Sequence, residues 1–99
     1  MTYLRLWQFK VSPEMEERFV AAYRSEGGWG QLFATAPGFI RTDLWREADG
    51  TYVTADHWES AAAYERFQAH SGDAYRQLDV ELEGIAGIET FLGAFDLVD

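Results

Sequence analysis

The stretch Tyr52-Val-Thr-Ala-Asp-His-Trp58-Glu-Ser60-Ala-Ala-Ala-Tyr64-Glu-Arg-Phe67 decides the fold. Alternation of side chains and β-forming residues predict a strand from Tyr52 to Trp58. Ser60 is placed as an N-cap, its hydroxyl able to accept from a free amide of a first helical turn, and helix formers run on from Ala61. Strand therefore passes to helix through Trp58 and Glu59 alone. The Trp58 ring then sits at the strand end beneath the incoming helix, where it can plug a core or wall a pocket.

Working back from this stretch, Asp49-Gly50 is a hairpin signal that joins it antiparallel to a strand over Phe39 to Arg46, and Ala36-Pro37-Gly38 is a turn. At the start of the chain, Tyr3 to Val11 alternates with large groups on both faces, as a strand covered on two sides would. Ser12-Pro13-Glu14 begins a helix whose buried stripe is Met15, Phe19, Ala22 and Tyr23. Gly27-Gly28 is expected to end it in the left-handed conformation, and Trp29 to Ala34 to form one irregular helical turn. Working forward, a helix from Ala61 to about Ala69 breaks at Ser71-Gly72. Tyr75, Leu78 and Leu82 mark a further helix closed by Gly84, and Ile88 to Phe95 is a last strand with Gly93 a candidate bulge.

The order is β-α-β-β-α-β with an extra short helix. It predicts a single ferredoxin-like α+β domain over residues 1–99, a four-stranded antiparallel sheet with helices on one face. At 99 residues such a domain buries only roughly 60–68% of its unfolded surface. Yet 47% of the residues are hydrophobic and 16% aromatic, more than a small core absorbs, so a second buried surface is expected: a ligand cavity or a subunit interface. The bulky second sheet face favours a homodimer packed sheet to sheet.

A formal charge of −9 repels phosphate backbones and anionic lipid surfaces, so neither nucleic acid nor membrane is an expected partner. The absence of cysteine excludes disulfides and thiolate chemistry. No metal motif, phosphate loop or Ser-His-Asp arrangement is visible, no cofactor is expected, and with no signal-like start the expected location is cytoplasmic.

Ala36-Pro37-Gly38-Phe39 before a strand, Asp56-His57-Trp58-Glu59-Ser60 with Ala63-Tyr64 and Phe67, and Val11-Ser12-Pro13-Glu14 followed by Phe19 resemble the antibiotic biosynthesis monooxygenase domain. The resemblance covers essentially the whole chain and implies a dimeric α/β barrel. It also implies one of several activities: cofactor-free oxygenation of polyketide quinones, heme degradation, or a fold kept without chemistry. Heme-degrading relatives carry an Asn in the first strand and a His ten residues beyond the Trp that ends the third. Here Trp7 and Gln68 stand in those places, and His70 is displaced by about 200° around a helix, so heme degradation is the less favoured branch.

A cofactor-free oxygenase takes its electrons from the substrate, and needs aromatic walls and a polar group to hold an oxyanion. The candidate catalytic residues are accordingly Trp58, Arg5, Tyr64 and His70, with Arg5 as counter-charge. The candidate substrate-binding residues are Trp7, Phe9, Tyr23, Trp29, Phe33 and Phe67. His70 also suits a helix C-terminus, and His57, on the opposite strand face from Trp58, suits an interface. Asp43 and Asp56 are expected to face each other, with Arg41 and Arg46 beside them, as cross-strand charge pairs or as an acid–base couple. The alternative to an enzyme is a dimeric binding or scaffold module of the same fold.

Overall fold

Short turns with fixed chemistry set the pairing of the strands. In the computed structural model, which describes residues 2–98, they are β1 (Tyr3–Lys10), β2 (Phe39–Arg46), β3 (Thr51–Trp58) and β4 (Ile88–Asp96). They form one antiparallel sheet in the order β2-β3-β1-β4. The β2–β3 hairpin closes where the Thr51 amide donates to Asp49 Oδ1 at 2.9 Å and Gly50 takes a φ of +90°. Three helices lie between the strands: α1 (Glu16–Tyr23), α2 (Gly28–Phe33) and α3 (Ala61–Glu81). This is the expected ferredoxin-like α+β arrangement. None of these helices is long and apolar enough to cross a membrane.

Ser60 caps α3 as its sequence predicts, accepting from the Ala63 amide at 3.1 Å. Gly38 has a φ of +91°, and a Cβ there would stand 2.6 Å from that of Ala63, so the turn before β2 admits only glycine. A register shift in β4 opposite Leu6 and Trp7, with Gly93 at a φ of +145°, supplies the predicted bulge.

Four local expectations are corrected. Pro13–Met15 is a 3-10 turn ahead of α1, and the Ser12 side chain makes no cap bond. Gly27 has a φ of −76° and starts α2 rather than ending α1. It is glycine because a Cβ would lie 2.4 Å from the Ala22 carbonyl oxygen. Residues 28–33 form a regular α-helix, not an irregular turn. The break at Ser71 is a kink, with φ −116° and ψ 17°, inside one helix that continues to Glu81; the stripe of Tyr75 and Leu78 holds the second half against the core.

On the helix-facing side of the sheet, aromatic side chains gather toward the two ends. At one end Phe9, Phe19, Tyr23 and Tyr52 pack together, with the Phe19 and Tyr23 rings stacked at 4.4 Å. At the other, Phe33, Phe39, Tyr64 and Phe67 surround Trp58, all with ring centroids within 5.7 Å of it. The opposite face has no helix over it, and it leaves Trp45 at 62% and Ile88 at 67% exposure.

Candidate active site

Alternate residues of β3 point at the helices, and they read Tyr52, Thr54, Asp56, Trp58. The two ends are large rings and the middle two are small and polar. The neighbouring strands do not fill the deficit: Thr42 of β2 lies opposite Asp56, and Trp7 of β1 opposite Thr54. A cleft remains above this floor of Thr42, Thr54 and Asp56. Its walls are Trp7, Phe9, Tyr23, Trp29, Phe33 and Tyr75, and the exposed Asp79 and Glu89 stand at its opening. The room inside is about 70 Å³, within about 490 Å³ of interatomic space counted out to solvent. Because one water needs roughly 10–15 Å³ of such room, the cleft holds several.

Asp56 is the chemical feature of this floor. It is 9% exposed, and burial pushes its carboxyl up from the ordinary 3.8 to about 6. The Thr42 hydroxyl, which donates to Oδ1 at 2.6 Å, and the charge of Arg5 oppose that shift. Arg5 is the direct cross-strand neighbour of Asp56, yet it forms no salt bridge among the described residues. Its guanidinium lies instead over the rings of Tyr64 at 4.1 Å and Phe91 at 4.6 Å. The carboxyl therefore has one hydroxyl donor and no ion pair.

Burial also raises Tyr23 and Tyr75 to about 12, so both walls present neutral phenols that can donate to an anion. The buried indole N–H of Trp29 has no hydrogen-bond partner. It is nonetheless close enough to the Tyr23 hydroxyl to favour that group's ionised form slightly against the effect of burial. At the opening, desolvation and the adjacent Asp79 raise Glu89.

The residues singled out from the sequence separate here. Trp7, Phe9, Tyr23, Trp29 and Phe33 line the cleft together; Trp58, Phe67, Tyr64, Arg5 and His70 do not. Trp58 is fully buried at 0% exposure, a core plug rather than a pocket wall, with its indole N–H unpartnered. Phe67 packs against it at 2% exposure. Tyr64 accepts a 2.8 Å hydrogen bond from Gln68 and serves as the ring under Arg5. His70 is exposed on a separate groove beside Pro37 and Arg66. The facing pair Asp43 and Asp56 is also corrected: Thr42, not Asp43, is in register with Asp56, so the two carboxyls occupy opposite faces of the sheet. Asp43 lies 3.2 Å from His57 and 3.1 Å from Arg41, while Arg46 pairs with Glu16 of α1 at 3.4 Å.

Sequence reasoning missed the floor residues Thr42 and Thr54, as well as Tyr75 and the two acids at the opening. The signal for the floor was present, as two small polar residues at inward positions of a strand flanked by Tyr52 and Trp58. Among the described residues there is no cluster of three His, Asp or Glu side chains able to hold a metal ion.

No curated protein matches the chain. Solved structures do. The monooxygenase encoded by ActVA-Orf6 of Streptomyces coelicolor, determined with nanaomycin D, superposes with a TM-score of 0.72 at 24% identity, over 98% of this chain and 88% of that one. SnoaB, a cofactor-independent oxygenase from Streptomyces nogalater, gives 0.66 at 23% identity, over 99% and 94%. Rv0793 from Mycobacterium tuberculosis gives 0.60 at 18% identity, with both chains covered completely. At these identities the likeness establishes the fold. The model of the antibiotic biosynthesis monooxygenase family matches residues 2–78, and the chain is a member of that family.

Proposed function

We propose that this protein is a cofactor-independent monooxygenase acting on a planar phenol or quinol in the cleft between sheet and helices. The observation that carries the proposal is the cleft itself, a polar floor with one buried carboxyl beneath aromatic walls. A flat ring between Trp7, Trp29 and Tyr75 exchanges water for aromatic contact, and neutral tyrosine hydroxyls stand ready to hold its oxyanion. Loss of a proton turns an anthrone-type phenol into an electron-rich anion. That anion passes one electron to dioxygen, and recombination at the ring carbon gives a peroxide. Protonation and loss of water leave a carbonyl. All four electrons come from the substrate: one oxygen atom enters it and the other leaves as water.

The room inside, about 70 Å³, is small for three fused rings, so a substrate of that size needs the cleft to widen. Narrowness is also the observation that favours the second reading, a binding module without turnover. With 1,8-dihydroxyanthrone as probe, oxygen uptake that yields the anthraquinone above the uncatalysed rate supports the oxygenase. A rise in melting temperature without oxygen uptake supports the binding module, and neither response leaves a scaffold. Heme falls outside the proposal, since Gln68 is engaged with Tyr64 and His70 lies on another groove.

We also propose that the uncovered sheet face is buried against a second copy. It carries Trp45, Ile88 and Phe95 exposed on a small acidic domain, and such a surface is expensive to leave in water. Sedimentation at micromolar concentration should give a dimer; a stable monomer would overturn this.

A further inference from the structure

We propose that Asp56 is the base that takes the substrate's acidic proton, and the acid that later returns it. This rests on the oxygenase reading above and names the residue that starts its chemistry. The position is the first argument. Asp56 is the one ionisable group on the cleft floor, beneath the aromatic walls, whereas Asp79 and Glu89 stand at the exposed opening.

The groups around it are the second. From β2, Thr42 donates to Oδ1 at 2.6 Å, fixing the carboxyl and leaving Oδ2 without a protein donor among the described hydrogen bonds. From β1, Arg5 lies opposite but is held over two rings, so its charge lowers the carboxyl's proton affinity without occupying its lone pairs. From α3, Tyr75 bears on it as a neutral phenol, and through the sheet Asp43 adds a small repulsion that favours the protonated acid. A buried carboxylate without an ion pair costs stability, and a role in proton transfer accounts for keeping one.

The chemistry is the third. Moving from the ordinary 3.8 to about 6 narrows the gap to a phenol by about two units, roughly 100-fold in the proton-transfer equilibrium. The carboxylate still predominates at neutral pH. In the step proposed, the substrate's O–H bond, or the C–H bond of its keto tautomer, breaks and the proton passes to an oxygen of Asp56. After dioxygen has added, the peroxide anion takes that proton back. The hydroperoxide then expels water as its carbonyl forms, and the carboxylate is restored.

Asp56→Asn is the test, because an amide oxygen can still accept from Thr42 while the base is gone. With 1,8-dihydroxyanthrone, kcat should fall by about 100-fold or more, the usual weight of a positioned acid or base. Affinity, read from quenching of the tryptophan fluorescence, should change by less than about threefold. Wild-type activity should rise with pH through about 6, where the carboxyl ionises, and the variant should lose that limb. Thr42→Val removes a hydrogen bond that favours the ionised form, so its limb should move to higher pH. Turnover in Asp56→Asn within about threefold of wild type, or an unchanged acid limb in both variants, overturns the role of Asp56 and leaves the oxygenase standing. Wild-type protein that binds the anthrone without oxidising it overturns both.

Discussion

Around Trp58 the helix-facing layer is solid, and two residues earlier on the same strand, above Asp56, it is hollow. Both regions lie on one sheet beneath the same helices and draw on the same kinds of ring. They differ in what β3 sends upward. At Trp58 a large indole meets Phe33, Phe39 and Phe67 with no room left over, at 0% exposure. At Thr54 and Asp56 short side chains leave the rings of Trp7, Trp29 and Tyr75 spanning a gap. Aromatic richness alone therefore does not mark a site. The site lies where rings face a small polar floor.

The largest expected effect of breaking this contrast lies on the solid side. Trp58→Ala should destabilise the fold by about 3–5 kcal/mol, as large-to-small core substitutions do. The loss should appear in urea unfolding as a lower midpoint. A cost below about 1 kcal/mol would mean that the ring walls an opening after all.

The hollow side should respond in the opposite sense. Because the folded-state pKa of Asp56 is raised, the native protein holds its proton more tightly than the unfolded chain. Stability is then fully present below pH 3.8 and is lost as pH climbs through about 6. At pH 8 the ionised carboxyl costs the fold on the order of 3 kcal/mol, two units at about 1.4 kcal/mol each. Asp56→Asn should recover much of this at pH 8 and little at pH 4. Urea midpoints at both pH values check it; a variant that is less stable at pH 8 would contradict a strained, functional carboxyl.

Much of the layout was legible beforehand because it is local. Asp49-Gly50, Ala36-Pro37-Gly38 and the Ser60 cap act over two to four residues, so their effect can be read from the chain. The helix-facing cluster was legible too, since alternation gives direction. Which of its members border empty space was not, because a cavity is the difference between volumes that several elements contribute. Trp58 and Tyr64 read as candidate catalytic residues from one strand and one helix, but Phe33 of α2 and Phe39 of β2 close over Trp58 from elsewhere. Asp43 and Asp56 seemed paired because their strands are neighbours; the register shift between Phe39 and Arg41 sets which residue of β2 meets Asp56, and that residue is Thr42.

Filling the hollow tests the same contrast from inside. Thr54→Leu places a larger apolar group on the floor where room exists, so the usual 1–3 kcal/mol overpacking cost should shrink to about 1 kcal/mol or less. Binding of the anthrone, followed by tryptophan fluorescence, should disappear. A variant that loses stability heavily yet still binds would place the ligand elsewhere.

The smallest effect is expected from the carboxyl next in sequence to Thr42, on the other side of the sheet. Asp43 pairs with Arg41 and His57 where its side chain is 30% exposed, and exposed pairs contribute about 0–1 kcal/mol because water screens them. Asp43→Asn should therefore lower stability by less than about 1 kcal/mol in a monomeric background. Its charge nevertheless reaches Asp56 through the sheet and helps hold that carboxyl protonated. Removing it should move the acid limb of activity slightly toward lower pH, the reverse of Thr42→Val, with kcat on the plateau unchanged. Two neighbouring β2 substitutions would then shift one titration in opposite directions, one by removing a donor and one by removing a repelling charge. A limb that moves the same way in both would point to a loosened hairpin instead of electrostatics at Asp56.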